Sequence, residues 1–235
     1  MLRRGTLYLT RMPGFFRSFF REAGRILYAG FPSFVMEYSI GIVTFFINRA
    51  IVRERFGSQG FAAFLIIGYL MLLYLTVFLG MAEGLQPVFS LLAGKKDVRG
   101  LRDLQAYSRK VFLVLGIVLS ILCVGLSRPF YSIFNSQDTA LILFAAKRSV
   151  PFFLLLFPAG GNILQITIHQ ASGQTGTSLL LAALRSFLLP PVLLFVLPAL
   201  AGPEALWCCQ GLAEIGTALA ALGIGRGLAV RKAEK

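Results

Sequence analysis

Glu37, Glu83, Arg185 and Glu214 each stand inside a long apolar run. An ionised side chain at the centre of a membrane helix costs about 2.5–3.5 kcal/mol on insertion scales. Such a group faces a cavity, finds a partner or does chemistry. For Glu37 the readings are a proton-titrating or cation-binding carboxylate, or an interior residue paired with a neighbouring Tyr or Gln. Glu83 and Gln86 lie in Gly80-Met81-Ala82-Glu83-Gly84-Leu85-Gln86-Pro87. Gly84 permits close backbone approach and Pro87 removes a helix hydrogen bond. A broken helix there exposes carbonyls and polar side chains to an ion or substrate, or serves only as a packing kink or hinge. Gln210 and Glu214 are four apart and share a helix face, so they point into a bundle as packing glue or as substrate contacts. Asn162, Gln165, His169 and Gln170 recur at three and four and line a cavity, or leave His169 at the interface. Arg185 snorkels or meets one of the carboxylates.

The elements that position these residues are helices, and the helices are apolar throughout. Of 235 residues 57% are apolar and 14% charged, against roughly 45–50% and about 25% in soluble domains. That excludes an ordinary soluble enzyme. A membrane span needs about 20 mostly apolar residues. The sequence divides into six: 26–48, 61–81, 111–126, 150–170, 178–200 and 205–225. The region 1–25 is a basic, aromatic segment, an interfacial stretch or a plain cytoplasmic loop, and 226–235 is a basic tail. The stretch 56–94 carries one charge and would make about 58 Å of helix, nearly twice a hydrocarbon core. Residues 83–92 are therefore expected to be kinked and partly interfacial. Pro32, Gly84, Pro87 and Pro158 are the expected kinks or hinges. Asn135, Ser136, Gln137 and Asp138 form a turn with N-cap chemistry.

The net charge is +13, and its placement gives a topology. With the N-terminus inside, cytoplasmic segments 1–25, 94–110 and 226–235 hold six, six and four Lys or Arg, and 171–177 none. The outer segments 49–55 and 127–149 hold three each and 201–204 none. This is the positive-inside pattern, with both termini cytoplasmic. The basic balance then needs no nucleic acid.

Enzyme chemistry finds no support. One histidine and three cysteines offer no metal-ligand spacing. Phosphate-cradling, nucleophile-elbow and zinc-helix motifs are missing. The chain is expected to be a non-enzyme without a resident cofactor.

Three segments carry a family likeness: Gly30-Phe31-Pro32-Ser33-Phe34; the run through Gly80, Gly84-Leu85-Gln86-Pro87-Val88 and Ala93-Gly94-Lys95; and Trp207 through Glu214. Over nearly the whole chain they resemble the C-terminal half, helices seven to twelve, of the multidrug and toxic compound extrusion (MATE) transporters. The resemblance implies an all-α membrane protein, one six-helix lobe of two, with residues 1–25 as the inter-lobe linker. It implies export of cationic or amphipathic drugs in exchange for protons or sodium ions at the inner membrane. Glu37, Glu83, Gln86, Asn162, Gln165 and Glu214 become the cavity candidates. The partners it implies are the bilayer, a small organic cation, and a first lobe or a second copy of the chain. Two features depart from the family. Ile40 stands near the point where sodium-coupled members carry a carboxylate, and span four lacks their aspartate. The helix count is half of what the architecture needs, so the chain is expected to be partial and inactive alone. The alternatives are a lobe like those of lipid-linked oligosaccharide flippases and a non-transporting membrane subunit.

Overall fold

The computed structural model describes the backbone of residues 15–134 and 137–233 and the side chains of 19–134 and 137–224. The expected turn residues Asn135 and Ser136, and the arginines of the first 14 residues, lie outside the described residues. Among the described residues there is no strand. The helices are α1 (Phe15–Arg53), α2 (Gly57–Gly94), α3 (Val98–Gly125), α4 (Ser127–Phe134), α5 (Thr139–Leu154), α6 (Ala159–Ala171), α7 (Thr175–Ala183), α8 (Leu189–Ala201) and α9 (Cys209–Ala233). A π-helical segment, Leu184–Leu188, joins α7 to α8, and a 3-10 turn, Pro203–Cys208, leads into α9. Five helical stretches are long and apolar enough to cross a membrane, and α5 with α6 makes a sixth, bent by 45°. The six-helix, all-α expectation is borne out.

The boundaries differ from the sequence expectation in four places. First, α1 begins at Phe15, so the described part of the basic segment is continuous with the first span. Arg25 reaches Glu22 one turn back at 2.8 Å, a pairing that supports helix on an exposed face. Second, α2 runs unbroken through Glu83, Gly84 and Pro87 to Gly94, and Pro32 likewise lies inside continuous helix. A proline removes one hydrogen bond, which helix packing readily absorbs in a membrane protein. Phe89, just beyond Pro87, is fully buried and anchors the continuation. Nor is Gly84 a close approach: a Cβ there would meet nothing within 4 Å. Third, α3 starts at Val98 rather than near 111, because the Asp97 side chain caps it, accepting from Gly100 N at 2.9 Å. Fourth, the fourth span starts at Thr139, where Asp138 accepts from Leu141 N at 2.9 Å.

Pro158 sits at the break between α5 and α6. It precedes α6, after the break at residues 155–158. The Tyr74 hydroxyl comes within 3.3 Å of Leu156 O, Gly116 O and Ser120 Oγ, so it ties α2 to the break and to α3. Close packing fixes the bend from both sides. A Cβ at Gly160 would collide with the Phe78 ring, and one at Gly211 with Leu155. The π segment has a similar local cause. Pro190 and Pro191 lack N–H groups for the preceding turn, and a wider turn accommodates the loss.

The core runs along α2, where Ala63, Ile67, Met71, Tyr74, Phe78 and Ala82 recur at three and four and are all buried. It is completed by Phe112, Phe153, Ile163 and Trp207. On the opposite face of α2, Leu65, Tyr69, Leu72, Leu73 and Val77 are exposed. An apolar face of that extent suits lipid, not water.

Candidate functional site

The bend at Pro158 aims the first turn of α6 at the second turn of α9, and the π segment delivers a cation to the same point. Glu214, on α9, is fully buried. Arg185 Nε lies 2.7 Å from its Oε1. Asn162 Nδ2 donates to its Oε2 at 2.8 Å and to its backbone carbonyl at 2.8 Å. Gln210 Nε2, one turn earlier, reaches Oε1 at 3.5 Å. The carboxylate therefore meets three side-chain donors drawn from three segments. That is the condition under which a buried charge is tolerable: a partner of opposite sign and hydrogen bonds for the remaining lone pairs.

The group opens on a cleft of about 10 Å³, lined by Ser39, Ile40 and Val43 from α1, Met71 and Leu75 from α2, Arg185 and Ser186, and Gln210. That is room for one water. The Ser39 hydroxyl donates to Met36 O at 2.6 Å. Ser186 Oγ and Gln210 Oε1 are buried and have no hydrogen-bond partner. The chemistry available is that of a charge pair beside a small polar recess, in apolar surroundings where electrostatic interactions are strong.

Of the six cavity candidates, the structure brings Asn162 and Glu214 together. Gln165 and Gln86 are half-buried, Glu37 and Glu83 are exposed on α1 and α2, and none of the four bonds to the Glu214 group. Among the described residues neither Glu37 nor Glu83 has an ion-pair partner. The polar stripe on α6 divides. Asn162 turns to α9, His169 Nδ1 lies 2.8 Å from Gln174 Oε1, and Gln170 Nε2 binds α1 through Ala29 O at 3.1 Å and Ser33 Oγ at 2.8 Å. Of the two readings of Arg185, the structure shows the meeting with a carboxylate. Sequence reasoning missed Ser39 and Ser186. Only the two prolines at 190 and 191 signalled Ser186, since they starve the preceding turn of donors. Among the described residues no group of three His, Cys, Asp or Glu could hold a metal.

A second polar group lies where α5, the 3-10 turn and the end of α1 meet. Arg148 pairs with Glu204, and its guanidinium lies 3.3 Å from the centre of the Phe144 ring and 5.8 Å from that of Trp207. It is a clamp between elements rather than a cavity.

The fold matches solved transporters. A Vibrio cholerae MATE transporter mutant superposes with a TM-score of 0.79 at 18% identity, over 91% of this chain and 48% of its own. An inward-facing multidrug resistance MATE family transporter of the MOP superfamily gives 0.77 at 18%, over 96% and 54%. A MOP superfamily transporter from Pyrococcus furiosus gives 0.78 at 18%, over 89% and 47%. The chain thus spans about half the length of the transporters it matches. No curated protein matches it in sequence. The MatE family profile matches residues 32–196, which is most of the chain, and with six apolar helices in the matching fold the protein belongs to the MatE family of membrane transporters.

Proposed function

We propose that the chain is one lobe of a MATE-like secondary transporter that exports cationic or amphipathic drugs in exchange for protons or sodium ions. The observation that carries this reading is the fully buried Glu214, held by Arg185 and Asn162 beside a polar cleft. A carboxylate in that setting is costly to keep and is of the kind that transporters use to recognise cations. The lobe works against a second lobe, either a separate first lobe or another copy of this chain, and substrate passes between them by alternating access. In this reading both termini face the cytoplasm of the inner membrane, an orientation that the Lys and Arg distribution supports. Glu37, Glu83, Gln86 and Gln165 belong to the same working surface, from positions that the second lobe covers.

The test is transport. The chain is reconstituted in proteoliposomes, alone and with a first six-helix lobe, and export of a fluorescent organic cation is followed while a proton or sodium gradient is imposed. Gradient-dependent export with the first lobe, and little or none from the chain alone, is the expected result. Absence of gradient-dependent export in both preparations overturns the reading.

A further inference from the structure

We infer that the outward face of α3 is a binding surface for an anionic phospholipid. Arg99, Arg102, Arg109 and Lys110 take the headgroup phosphate, and an acyl chain lies along Leu113, Ile117 and Ile121. The inference concerns the outside of the lobe and goes beyond the transport reading, since it holds whatever substrate the chain carries.

Three observations carry it. The first is depth. Helix α3 has 28 residues, about 42 Å of helix against a hydrocarbon core of about 30 Å. Residues 111–125 carry no charge, so the excess length falls on residues 98–110, which cross the headgroup layer. The second is the arrangement of charge. Ala106 is exposed. Arg99 and Arg102 stand seven and four residues before it, and Arg109 and Lys110 three and four after it, so all four surround it on one helix face. All four are exposed, and among the described residues none has an ion-pair partner. Ala106 has no side chain beyond Cβ and leaves an open notch between them. One acid shares this face, Asp103, so four cations less one leave +3. In the turn before the helix, Lys95 and Lys96 more than offset Asp97, which caps it.

The third observation is what lies deeper on the same face. Leu113, Ile117 and Ile121 follow Lys110 at steps of three and four, and all are exposed. The opposite face, with Ser108, Phe112, Gly116 and Ser120, is buried in the bundle. Helix α3 packs on α2, α4, α5 and α6 and, among the described residues, not on α1, which carries Glu37 towards the second lobe in the reading above. A phosphate at Ala106 therefore meets cations, and the acyl chain attached to it meets an apolar stripe one turn deeper. An acidic protein would use the basic ridge and leave the stripe bare. The continuity of the two favours a lipid, and each cation at that level adds to its retention.

The experiment uses the full chain in vesicles that mix phosphatidylcholine with phosphatidylglycerol, one of the two carrying brominated acyl chains. Ile117→Trp places an indole on the stripe, and its quenching by bromine reads the local lipid composition. The signal of the native Trp207 is measured in the chain without the substitution and subtracted. Phosphatidylglycerol is expected to be enriched at the indole by about fivefold or more over its bulk share, fivefold being the effect of a single cation. An indole placed by Leu65→Trp, on the exposed face of α2, should report the bulk composition. The triple variant Arg99→Gln, Arg102→Gln, Lys110→Gln should bring the Ile117→Trp signal to parity, and so should Ala106→Glu alone, which sets a carboxylate in the notch. Arg55→Gln, Arg128→Gln and Lys147→Gln together remove the same charge elsewhere and should leave the enrichment in place. Equal quenching by the two lipids, or enrichment that survives the triple variant and Ala106→Glu, overturns the inference. Enrichment lost equally with the distant triple variant overturns it too, because net charge alone would then be the cause. Displacement by glycerol 3-phosphate at millimolar concentration would make the notch a site for free phosphate and overturns the lipid assignment. None of these results bears on gradient-driven export, so the transport reading stands or falls by its own test.

Discussion

The guanidinium of Arg185 and the carboxylate of Glu214 meet at 2.7 Å across 29 residues of chain, and neither side chain is more than 6% exposed. The pair ties the π segment to α9, and Asn162 joins α6 to it. Breaking such a pair from one side strands a charge in apolar surroundings, which costs more than the pair is worth. Glu214→Gln is therefore expected to destabilise the lobe by about 3–5 kcal/mol, read as a lowered midpoint of thermal unfolding in detergent. The double variant Arg185→Met with Glu214→Gln carries no stranded charge and should recover most of the loss. A single variant as stable as the wild type would show that the pair is not closed in solution.

Glycines give a second contrast. Gly160 and Gly211 each stand where an added Cβ would strike a neighbour, Phe78 and Leu155 respectively, whereas Gly84 faces open space. Gly160→Val and Gly211→Val are expected to lose about 1–3 kcal/mol, the usual range for overpacking. Gly84→Ala should leave the unfolding midpoint where it is. Equal effects at all three positions would mean that α6 and α9 do not pack as closely as described.

These two glycines also mark where the sequence stopped being legible. Gln86-Pro87 and Phe157-Pro158 have the same local chemistry, a proline that removes one helix hydrogen bond. The sequence reading placed the break at the first as well as the second. The helix continues through the first and breaks at the second. What distinguishes them is tertiary. Phe78 fills the space above Gly160, and the Tyr74 hydroxyl attends Leu156 O, while buried Phe89 anchors the helix that continues past Pro87. Features set within one helix were readable. Gln210 and Glu214 share a face, Asn162 points inward, and Asp138 caps α5. The choice of Glu214 rather than Glu37 or Glu83 as the partner of Arg185 depends on how α6, α9 and the π segment converge, and no spacing along the chain encodes that.

Outside the spans, Tyr131 of α4 packs against α5 and bonds to the Ser149 hydroxyl. Ser149 donates its own proton to Ala145 O at 2.9 Å, so Tyr131 is the donor. Burial pushes the Tyr131 phenol up from its usual range. It therefore stays protonated in the fold, and its contribution to stability is fully present below the ordinary tyrosine range and is lost only as the pH rises above that range, where the unfolded chain ionises first. Tyr131→Phe removes the donor and leaves one lone pair of Ser149 unmatched, an expected loss of about 1 kcal/mol. Unfolding measured at pH 7 and pH 9.5 should show the same difference. A difference that vanishes at pH 9.5 would place the phenol in contact with water.

Glu37 tests how the lobe is covered. It is exposed on α1, beside the exposed rings of Phe34 and Tyr38, and among the described residues it has no ion-pair partner. Facing lipid, a carboxylate there is a burden, and at the helix centre it costs about 2.5–3.5 kcal/mol. Facing a second lobe, it becomes a titrating or cation-binding group. The two situations predict opposite consequences for one substitution. Glu37→Gln should raise the unfolding midpoint of the chain alone, because it removes a charge from an apolar face. In proteoliposomes that also contain a first lobe, it should lower gradient-driven export and flatten the pH dependence of that export. Export with an unchanged pH profile would remove Glu37 from the coupling chemistry and leave it as a surface charge that the lobe merely tolerates.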